Sequence, residues 1–157
     1  MRVGIGYDAH RLVAGRELIL GGVRIEYTLG LDGHSDADVL THAVIDALFG
    51  AAALGNIGTF FPATHEKWKG ASSLELLNIA AGNVKDAGYR IVNIDSTVIA
   101  EEPRLESHLS GMKLNLAKSL GIEPGAVGVK ATSPEGLGAL GRKAGIAAQA
   151  IALIEEK

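Results

Sequence analysis

Apolar residues recur at two different spacings along this chain, which predicts a mixture of strands and helices. Residues 2–8 and the β-branched, alternating stretch 90–100 predict strands, and the VGVKA stretch at 127–131 predicts another. The apolar runs on either side of the glycine pair in ELILGGVRIEY predict a hairpin. The N-terminal part of the chain is therefore expected to be rich in β-structure.

Three other stretches have apolar residues at helical spacing. The first begins at Asp38, after polar residues that suit a helix N-terminus. The second covers about 72–87 and the third 105–120, and a glycine follows each of them closely. The C-terminal IAAQAIALI fits both a helix and a buried strand, and the spacing alone favours the helix.

The composition is that of a folded chain. Of 157 residues, 47% are hydrophobic and 21% are charged, so we expect one domain over 1–157. A net charge of -3 and a pI near 5.9 predict neither a nucleic acid nor a membrane partner. Because cysteine is absent, a metal site would use His and carboxylate side chains. No signal-peptide pattern is present and no apolar run reaches about 18 residues, which predicts a cytoplasmic, prokaryotic protein.

The triplet Asp8-Ala9-His10 places a carboxylate and an imidazole two residues apart at the end of the first predicted strand. Side chains at this spacing point to the same side of a strand. His42, on the first predicted helix, would complete a set with one open position, as catalytic zinc requires. Asp46, one turn later, would orient an imidazole. The alternative is that Asp8 and His10 are ordinary polar residues at a strand end.

A polar cluster at Gly33–Asp38 precedes the first predicted helix. Ser and Asp are the residues that a helix start prefers. The backbone N–H groups and the dipole of such a start also suit an anion, and His34 would donate to a phosphate oxygen. The pattern leaves both interpretations open.

The segment Lys130–Gly136 has two interpretations as well. Ser133 before Pro134 is typical of a helix start, and Thr132 with Glu135 matches the capping-box spacing. Alternatively, hydroxyl and N–H groups face a phosphate while Glu135 holds a hard cation such as magnesium against it. Arg142, beyond a glycine-rich turn, would add a bidentate phosphate clamp or is a surface charge.

A further turn, Ala100–Leu105, leaves the strand at 90–100 and contains a proline. Exposed main-chain groups in such a turn would read the edge of a nucleobase. Nothing in the local sequence demands this, and an ordinary turn is the alternative.

Taken together and in this order, these segments resemble the 2-C-methyl-D-erythritol 2,4-cyclodiphosphate synthase family along nearly the whole chain. The GHSDADV block with its following histidine is highly specific to that family. The matching segments are Gly6–His10, Gly30–Val39, His42-Ala43, Asp46-Ala47, Gly55–Gly58, Phe61-Pro62, Pro103–Leu105, Lys130–Thr132, Gly138 and Gly141-Arg142.

The resemblance implies an α+β fold in two layers, with a four-stranded mixed β-sheet, helices on one face and a small N-terminal hairpin. It makes the C-terminal segment a strand, against the spacing of its apolar residues. It also implies a homotrimer with three active sites at subunit interfaces. The implied activity is that of a phosphorus–oxygen lyase of the non-mevalonate isoprenoid precursor pathway. Its reaction converts 4-diphosphocytidyl-2-C-methyl-D-erythritol 2-phosphate to the cyclodiphosphate and releases CMP.

The resemblance also implies metal ligands and catalytic residues. The ligands of Zn²⁺, or of another divalent transition metal, would be Asp8, His10 and His42. Glu135 would hold Mg²⁺ or Mn²⁺ between the two phosphates of the cytidine diphosphate. His34 and Ser133 occupy the positions assigned to transition-state stabilisation.

The substrate contacts implied by the resemblance form two groups. The methylerythritol phosphate pocket would be lined by Ser35, Asn56, Gly58, Phe61, Thr64 and His65. Cytidine would be faced, from the neighbouring subunit, by Ala100, Glu101, Glu102, Pro103, Arg104, Leu105, Ala131 and Thr132. The remaining predicted substrate contacts are Asp8, Ala9, His10, His34, Ile57, Ser133, Ala139 and Arg142.

Several positions depart from the family pattern. Asn56, Ala63 and His65 stand where the family usually has Asp, so the substrate side loses carboxylates. Ser133 replaces the usual Thr but keeps the hydroxyl. Two rival functions use the same residues: a metal-dependent phosphohydrolase of nucleoside diphosphate compounds, and a trimeric diphosphate-binding protein that has lost turnover.

Overall fold

The computed structural model describes all residues from Met1 to Lys157 as a mixed α+β fold. The strands are β1 (Arg2–Val13), β2 (Leu18–Leu20), β3 (Val23–Ile25), β4 (Gly30–Leu31), β5 (Tyr89–Ile99), β6 (Val127–Thr132) and β7 (Gly145–Glu156). The α-helices are α1 (Val39–Ala52), α2 (Ile57–Phe60), α3 (Ser73–Asp86), α4 (Leu109–Leu120) and α5 (Gly138–Gly141). Short 3-10 turns occur at Glu66–Trp68, Glu106–His108 and Pro124–Ala126. None of the helices combines the length and the apolar character needed to cross a membrane.

Five strands form one mixed sheet in the order β4, β1, β7, β5, β6, while β2 and β3 form the predicted hairpin. Only the β5–β6 pair is parallel; the other neighbours are antiparallel. The four-stranded sheet implied by the family resemblance is one strand short, because the two-residue β4 pairs with the end of β1. The chain thus builds a sheet with two long central strands, β1 and β7, that pair along most of their length.

Helix α1 lies directly on β1 because two glycines leave room for its backbone. A Cβ atom on Gly6 would lie 1.9 Å from the carbonyl oxygen of Ala43, and one on Gly4 would lie 2.0 Å from that of Ala47. No side chain fits at such distances, so this close approach requires glycine. The contact brings His42 on α1 over the same face of β1 as Asp8.

The predicted start of α1 is held by the buried carboxylate of Asp38. It accepts hydrogen bonds from the Thr41 N–H at 3.1 Å and the Thr41 hydroxyl at 2.7 Å. It also accepts from the N–H groups of Gly21 at 2.9 Å and Gly22 at 2.8 Å in the β2–β3 hairpin. One N-cap side chain therefore ties the helix start to the hairpin.

The C-terminal segment is the central strand β7, so the helix favoured by spacing alone is wrong. Its residues Ile146, Ala148 and Ala150 are buried on the helix side, and Gln149 and Ile151 are exposed on the other. Because alanines fill the positions between the isoleucines, apolar residues recur at the spacing of a helix as well as at that of a strand. Pairing with β1 on one side and β5 on the other decides for the strand, as the family resemblance implied.

The helix start predicted at Ser133 and Pro134 is also wrong. Strand β6 ends in a turn in which Glu135 and Gly136 have left-handed backbone, with φ of 53° and 74°. The Ser133 hydroxyl accepts a hydrogen bond from the Glu135 N–H at 3.0 Å and so closes this turn. Thr132 and Glu135 therefore form no capping box, and α5 begins only at Gly138.

The sheet face that points away from the helices carries exposed apolar side chains. On β1, the exposed fractions are 67% for Val3, 70% for Ile5 and 55% for Tyr7, and on β7 that of Ile151 is 49%. Since β1 and β7 are neighbours, these side chains form a contiguous patch on the open face. Contiguous apolar patches are more frequent on surfaces that contact another molecule than on the rest of a protein.

Candidate active site

Asp8, His10 and His42 converge as the sequence spacing predicted. Asp8 Oδ2 lies 2.8 Å from His10 Nε2 and 3.0 Å from His42 Nδ1, and the two imidazole nitrogens are 3.2 Å apart. Two of the ligands come from the helix side of β1, where residues two apart share a face, and the third comes from α1. The three atoms form a compact triangle.

The imidazole of His10 is fixed by a backbone carbonyl. Its Nδ1 lies 2.5 Å from the carbonyl oxygen of Asp32, which accepts hydrogen bonds only, so Nδ1 carries the proton. The unprotonated Nε2 of His10 then faces the other two members of the triangle. This is the usual way in which a protein prepares a histidine to bind a metal.

The imidazole of His42 is fixed from its other side. Its Nε2 lies 2.9 Å from the Ser73 hydroxyl and 3.2 Å from the Ser35 hydroxyl. Ser73 donates its own proton to the carboxylate of Asp36, so its oxygen is free to accept the His42 Nε2–H. The lone pair of His42 Nδ1 therefore points to Asp8.

These tautomers leave three electron-pair donors facing one another. Burial would raise the pKa of Asp8, but the contacts with the His10 and His42 imidazoles hold it well below its usual range, so the carboxylate is ionised. Burial would lower the pKa of His10, but the Asp8 carboxylate raises it. Either a proton or a metal cation relieves the repulsion, and the two compete.

The triangle fits a transition metal. Ligand atoms about 2.0 Å from a tetrahedral zinc ion lie about 3.3 Å from one another. The distances of 2.8, 3.0 and 3.2 Å are close to that value and need only a small outward adjustment. One carboxylate and two imidazoles leave a fourth position open, which is the pattern of catalytic rather than structural sites.

Asp46 does not orient an imidazole, contrary to the prediction from its helical spacing. Its carboxylate accepts a hydrogen bond from the N–H of Ile57 at 2.7 Å and so anchors the start of α2. The groups that orient the metal ligands are instead the carbonyl of Asp32 and the hydroxyl of Ser73. Sequence reasoning missed Ser73, because only the folding of α3 against α1 brings it to His42.

Asp8, His10 and His42, called here the metal set, open into a cavity of about 250 Å³. The cavity is lined by Asp8, His10, His34, Ser35, His42, Ile57, Gly58, Phe61, Ala63, Trp68 and Leu76. Of the residues predicted for the methylerythritol phosphate pocket, Asn56, Thr64 and His65 do not line this cavity, and neither does the predicted contact Ala9. Trp68 and Leu76 were not predicted, and their apolar character was the only signal that the sequence offered.

The loop that departs from the family pattern forms one rim of this cavity. His34 Nε2 lies 3.1 Å from the carbonyl oxygen of His65. Asn56 caps α2 by accepting from the Thr59 N–H at 3.1 Å, a role that its side-chain oxygen shares with an aspartate. The exposed side chains of Ala63 and His65 add no negative charge to this rim.

A second cavity, of about 570 Å³, lies where β5 and β6 end. It is lined by Ala100, Glu101, Pro103, Arg104, Leu105, Glu106, Leu109, Lys130, Ala131, Thr132, Ser133 and Glu135. The structure thus brings together most of the residues predicted to face cytidine diphosphate. Of the residues predicted to face cytidine, only Glu102 does not line the cavity, and it pairs with Lys143 at 2.8 Å. Ala139 and Arg142, predicted as further substrate contacts, do not line it either.

Glu101 holds the turn that presents Glu135. Its carboxylate accepts hydrogen bonds from the Ser133 hydroxyl and from the Gly136 N–H, both at 3.1 Å. The Glu135 side chain is left exposed at the cavity wall. The two cavities have no lining residue in common.

The fold and the site define the class of protein: a mixed α+β chain with a cluster of one carboxylate and two imidazoles that could hold a metal ion, beside a small cavity. A model of the YgbB family matches residues 1–155. The 2-C-methyl-D-erythritol 2,4-cyclodiphosphate synthase of Synechococcus elongatus is 56% identical over 153 residues, covering 98% of this chain and 96% of the relative. The enzyme of the same name from Dehalococcoides mccartyi (strain ATCC BAA-2266 / KCTC 15142 / 195) is 54% identical over 157 residues, the full length of both chains.

Solved structures agree with these relatives. The bifunctional IspDF of Campylobacter jejuni matches with a TM-score of 0.96 at 41% identity, over 99% of this chain and 42% of that chain. The CDP complex of IspF from Plasmodium falciparum matches with a TM-score of 0.87 at 31% identity, over 99% of this chain and 96% of that chain. The chain therefore belongs to the YgbB family, whose curated relatives are 2-C-methyl-D-erythritol 2,4-cyclodiphosphate synthases.

Proposed function

We propose that the protein converts 4-diphosphocytidyl-2-C-methyl-D-erythritol 2-phosphate to 2-C-methyl-D-erythritol 2,4-cyclodiphosphate and releases CMP. The observation that carries this function is the convergence of Asp8, His10 and His42 on one point at the mouth of the first cavity. The family membership supplies the substrate, since the curated relatives carry the name of this reaction. The enzyme is a phosphorus–oxygen lyase of isoprenoid precursor synthesis.

The chemistry is an intramolecular phosphoryl transfer. An oxygen of the 2-phosphate forms a bond to the β-phosphorus, and the bond from that phosphorus to the bridging oxygen breaks, so that CMP leaves with the electron pair. No side chain forms a covalent bond. The protein has to bend the substrate so that both phosphates meet and to balance their negative charge.

The chain offers two places for divalent cations. Asp8, His10 and His42 would hold Zn²⁺ or another transition metal, and exposed Glu135 would hold Mg²⁺ or Mn²⁺. When bound, such cations neutralise phosphate charge and polarise phosphoryl oxygens. Two neutral imidazoles with one carboxylate suit a softer ion at the Asp8, His10 and His42 site. A carboxylate alone suits a hard ion at Glu135.

His34 and Ser133 are the proposed donors to phosphoryl oxygens in the transition state. His34 lines the first cavity beside the metal set, and Ser133 lines the second beside Glu135. In the free chain the Ser133 hydroxyl donates to Glu101, so substrate has to compete for it. Ser35, Ile57, Gly58 and Phe61 would shape the methylerythritol phosphate pocket, and Asn56, Thr64 and His65 belong to the loop at its rim. The predicted contact Ala9 is exposed and does not line the cavity.

Cytidine would occupy the larger cavity at the ends of β5 and β6. The turn Ala100–Leu105 forms one wall, and Ala131 and Thr132 form another. Main-chain groups of the turn supply donors and acceptors for the edge of the base. Glu102, Ala139 and Arg142 do not line this cavity, and the exposed Arg142 would approach a phosphate.

A homotrimer would unite the two cavities. Each chain carries both half-sites, which share no lining residue, and in the proposed trimer a half from each of two neighbouring subunits would form the complete site. The open sheet face supplies a surface for such an assembly, because Val3, Ile5, Tyr7 and Ile151 are exposed there. Burying this face would bring β1 of one subunit close to those of its neighbours.

We also propose how many domains the chain forms and where the protein is located in the cell. One cluster of 35 buried residues supports a single domain over 1–157. A bacterial cytosol is the proposed location, in keeping with the bacterial sources of the curated relatives.

The decisive experiment is incubation of the protein with the cytidyl substrate, zinc and magnesium, followed by phosphorus NMR. The proposed function requires CMP together with a cyclic diphosphate. CMP with a linear product would show a phosphohydrolase instead, and no CMP would show a binding protein. Omitting each metal in turn separates the two cation sites.

The proposed trimer is tested by light scattering on the purified protein and on Ile5→Glu. The unchanged chain should have three times the mass of its subunit. Ile5→Glu places a charge on the open sheet face and should give monomers without turnover. A monomeric, fully active wild-type protein would overturn the composite site.

A further inference from the structure

The loop between β4 and α1 carries His34 and Ser35, and its main chain is held from two sides. On one side, the Gly70 N–H donates to the His34 carbonyl at 2.8 Å, and the Asp36 N–H donates to the Ala71 carbonyl at 3.0 Å. These bonds connect the loop to the segment before α3. The carbonyl groups of Gly33 and Ser35, on either side of His34, take no part in these bonds.

The other side of the loop is held by Arg16, from the turn between β1 and β2. Its Nη1 donates to the carbonyl of Gly33 at 3.0 Å, and its Nη2 donates to the carbonyl of Ser35 at 2.7 Å. No backbone N–H donates to either carbonyl, so the guanidinium supplies their hydrogen bonds. The two acceptors belong to the residues immediately before and after His34.

Arginine suits this task because its planar guanidinium spans two acceptors at a fixed separation. Arg16 is half-buried, whereas Arg24 on the neighbouring hairpin strand is exposed and pairs only with Glu17. Gly15, with φ of 78°, reverses the chain immediately before Arg16 and aims it at the loop. The conformation of the turn therefore fixes the position of Arg16.

We infer that Arg16 is a positioning residue for the reaction: its guanidinium clamps the carbonyls of Gly33 and Ser35 and thereby sets where His34 and Ser35 stand in the cavity. The inference rests on the proposed function, in which these two side chains act on substrate. Ser35 also contacts His42 Nε2 at 3.2 Å, so the clamp reaches the metal set as well. Arg16 itself does not line that cavity.

Loss of the clamp should affect the chemical step more than substrate binding. The contacts proposed to bind cytidine diphosphate lie in the other cavity, which Arg16 does not line. A displacement of about 1 Å in a catalytic group costs up to about 100-fold in rate. We expect Arg16→Ala to lower kcat by about 10- to 100-fold while KM changes by less than about threefold.

The experiment compares Arg16→Ala, Arg16→Lys and the matched control Arg24→Ala by CMP release. Guanidinium chloride at tens of millimolar is then added to each, with sodium chloride as the salt control. Partial recovery of kcat by guanidinium in Arg16→Ala alone is expected, because the ion fits the vacated place. Arg16→Lys should lose kcat too, since an ammonium group does not bridge both carbonyls.

Several outcomes would overturn the inference. They are wild-type kcat in either folded Arg16 variant, a rise in KM that accounts for the whole loss, and the absence of any guanidinium response in Arg16→Ala. Should Arg16→Ala fail to fold, the kcat and KM of Arg16→Lys decide. If the wild-type protein releases no CMP, the proposed function fails, and hydrogen exchange of the Gly70 amide decides for Arg16. Unchanged exchange in Arg16→Ala would then refute the clamp.

Discussion

The hydroxyl of Ser73 lies 2.9 Å from His42 Nε2 and fixes the tautomer in which His42 Nδ1 faces Asp8. Ser73 is fully buried at the first position of α3, and its hydroxyl proton goes to Asp36. A buried serine that lines neither cavity thus orients the proposed metal ligand His42 on another helix.

Ser73→Ala should therefore weaken zinc binding by about 10- to 100-fold, the usual effect of removing a group that orients a metal ligand. The backbone N–H of residue 73 still reaches Asp36, so the helix start should remain. Competition with a chromophoric chelator measures the affinity. Ser72→Ala is the control, because the neighbouring Ser72 side chain makes no capping hydrogen bond. Equal zinc affinity in the two variants would mean that the hydroxyl has no part in the metal site.

His42→Ala should abolish turnover, by at least about 100-fold, and reduce the bound zinc, since two ligands hold the ion poorly. Helix α1 is fixed by its contact with β1 and by Asp38, so the fold should persist. Metal analysis, circular dichroism and CMP release are measured on the same sample. His108→Ala, outside both cavities, is the matched control. A His42→Ala protein with full zinc content and normal rate would disprove the metal assignment.

Glu135→Gln should leave zinc binding unchanged and weaken the dependence of the rate on magnesium, because an amide oxygen binds a hard cation less well than a carboxylate. The turn should keep its shape, as its hydrogen bonds use the Glu135 N–H rather than its side chain. The rate is measured across a magnesium titration, with exposed Glu123→Gln as the control. A titration curve identical to that of wild type would remove Glu135 from the cation site.

The double substitution Asn56→Asp with Ala63→Asp should raise kcat several-fold at nearly constant KM. A carboxylate accepts charge-assisted hydrogen bonds from erythritol hydroxyls, which Asn56 makes more weakly and Ala63 cannot make. The cap of α2 should survive, since an aspartate oxygen accepts from the Thr59 N–H equally well. Steady-state kinetics decide: an unchanged kcat shows that the loop does not limit the rate, and activity created from none shows that the natural chain only binds.

We expect alanine substitutions at two glycines to change the free energy of unfolding in opposite directions. Gly6→Ala would force a methyl group to within 1.9 Å of the Ala43 carbonyl oxygen and should destabilise the fold by about 3 kcal/mol or more. Gly82→Ala, in α3 with nothing within 4 Å of the new Cβ, should stabilise it by about 1 kcal/mol. Chemical denaturation measures both. Equal stability of the two variants would show that α1 does not depend on the close approach.

Much of the fold followed from local pattern. The start of α1 at Asp38, the ends of α3 and α4 near glycines, the β2–β3 hairpin and the strands β5 and β6 were all predicted. Each depends on contacts within a short stretch of chain, such as a cap or a tight turn. The Asp8 and His10 pair was predictable for the same reason, because a strand places alternate side chains on one side.

What only the tertiary structure decided involves partners distant in the chain. The segment at 145–156 became a strand because β1 and β5 pair with it on both sides, which its own periodicity did not reveal. The carboxylate of Asp46 accepts a hydrogen bond from the N–H of Ile57, and the imidazole of His42 contacts the hydroxyl of Ser73 instead. The sequence by itself determined which side chains had metal and phosphate chemistry, since that depends on residue type and local spacing. Folding decided which of them meet and in which protonation state, since hydrogen bonds to atoms more than 30 residues away fix the tautomer of His42.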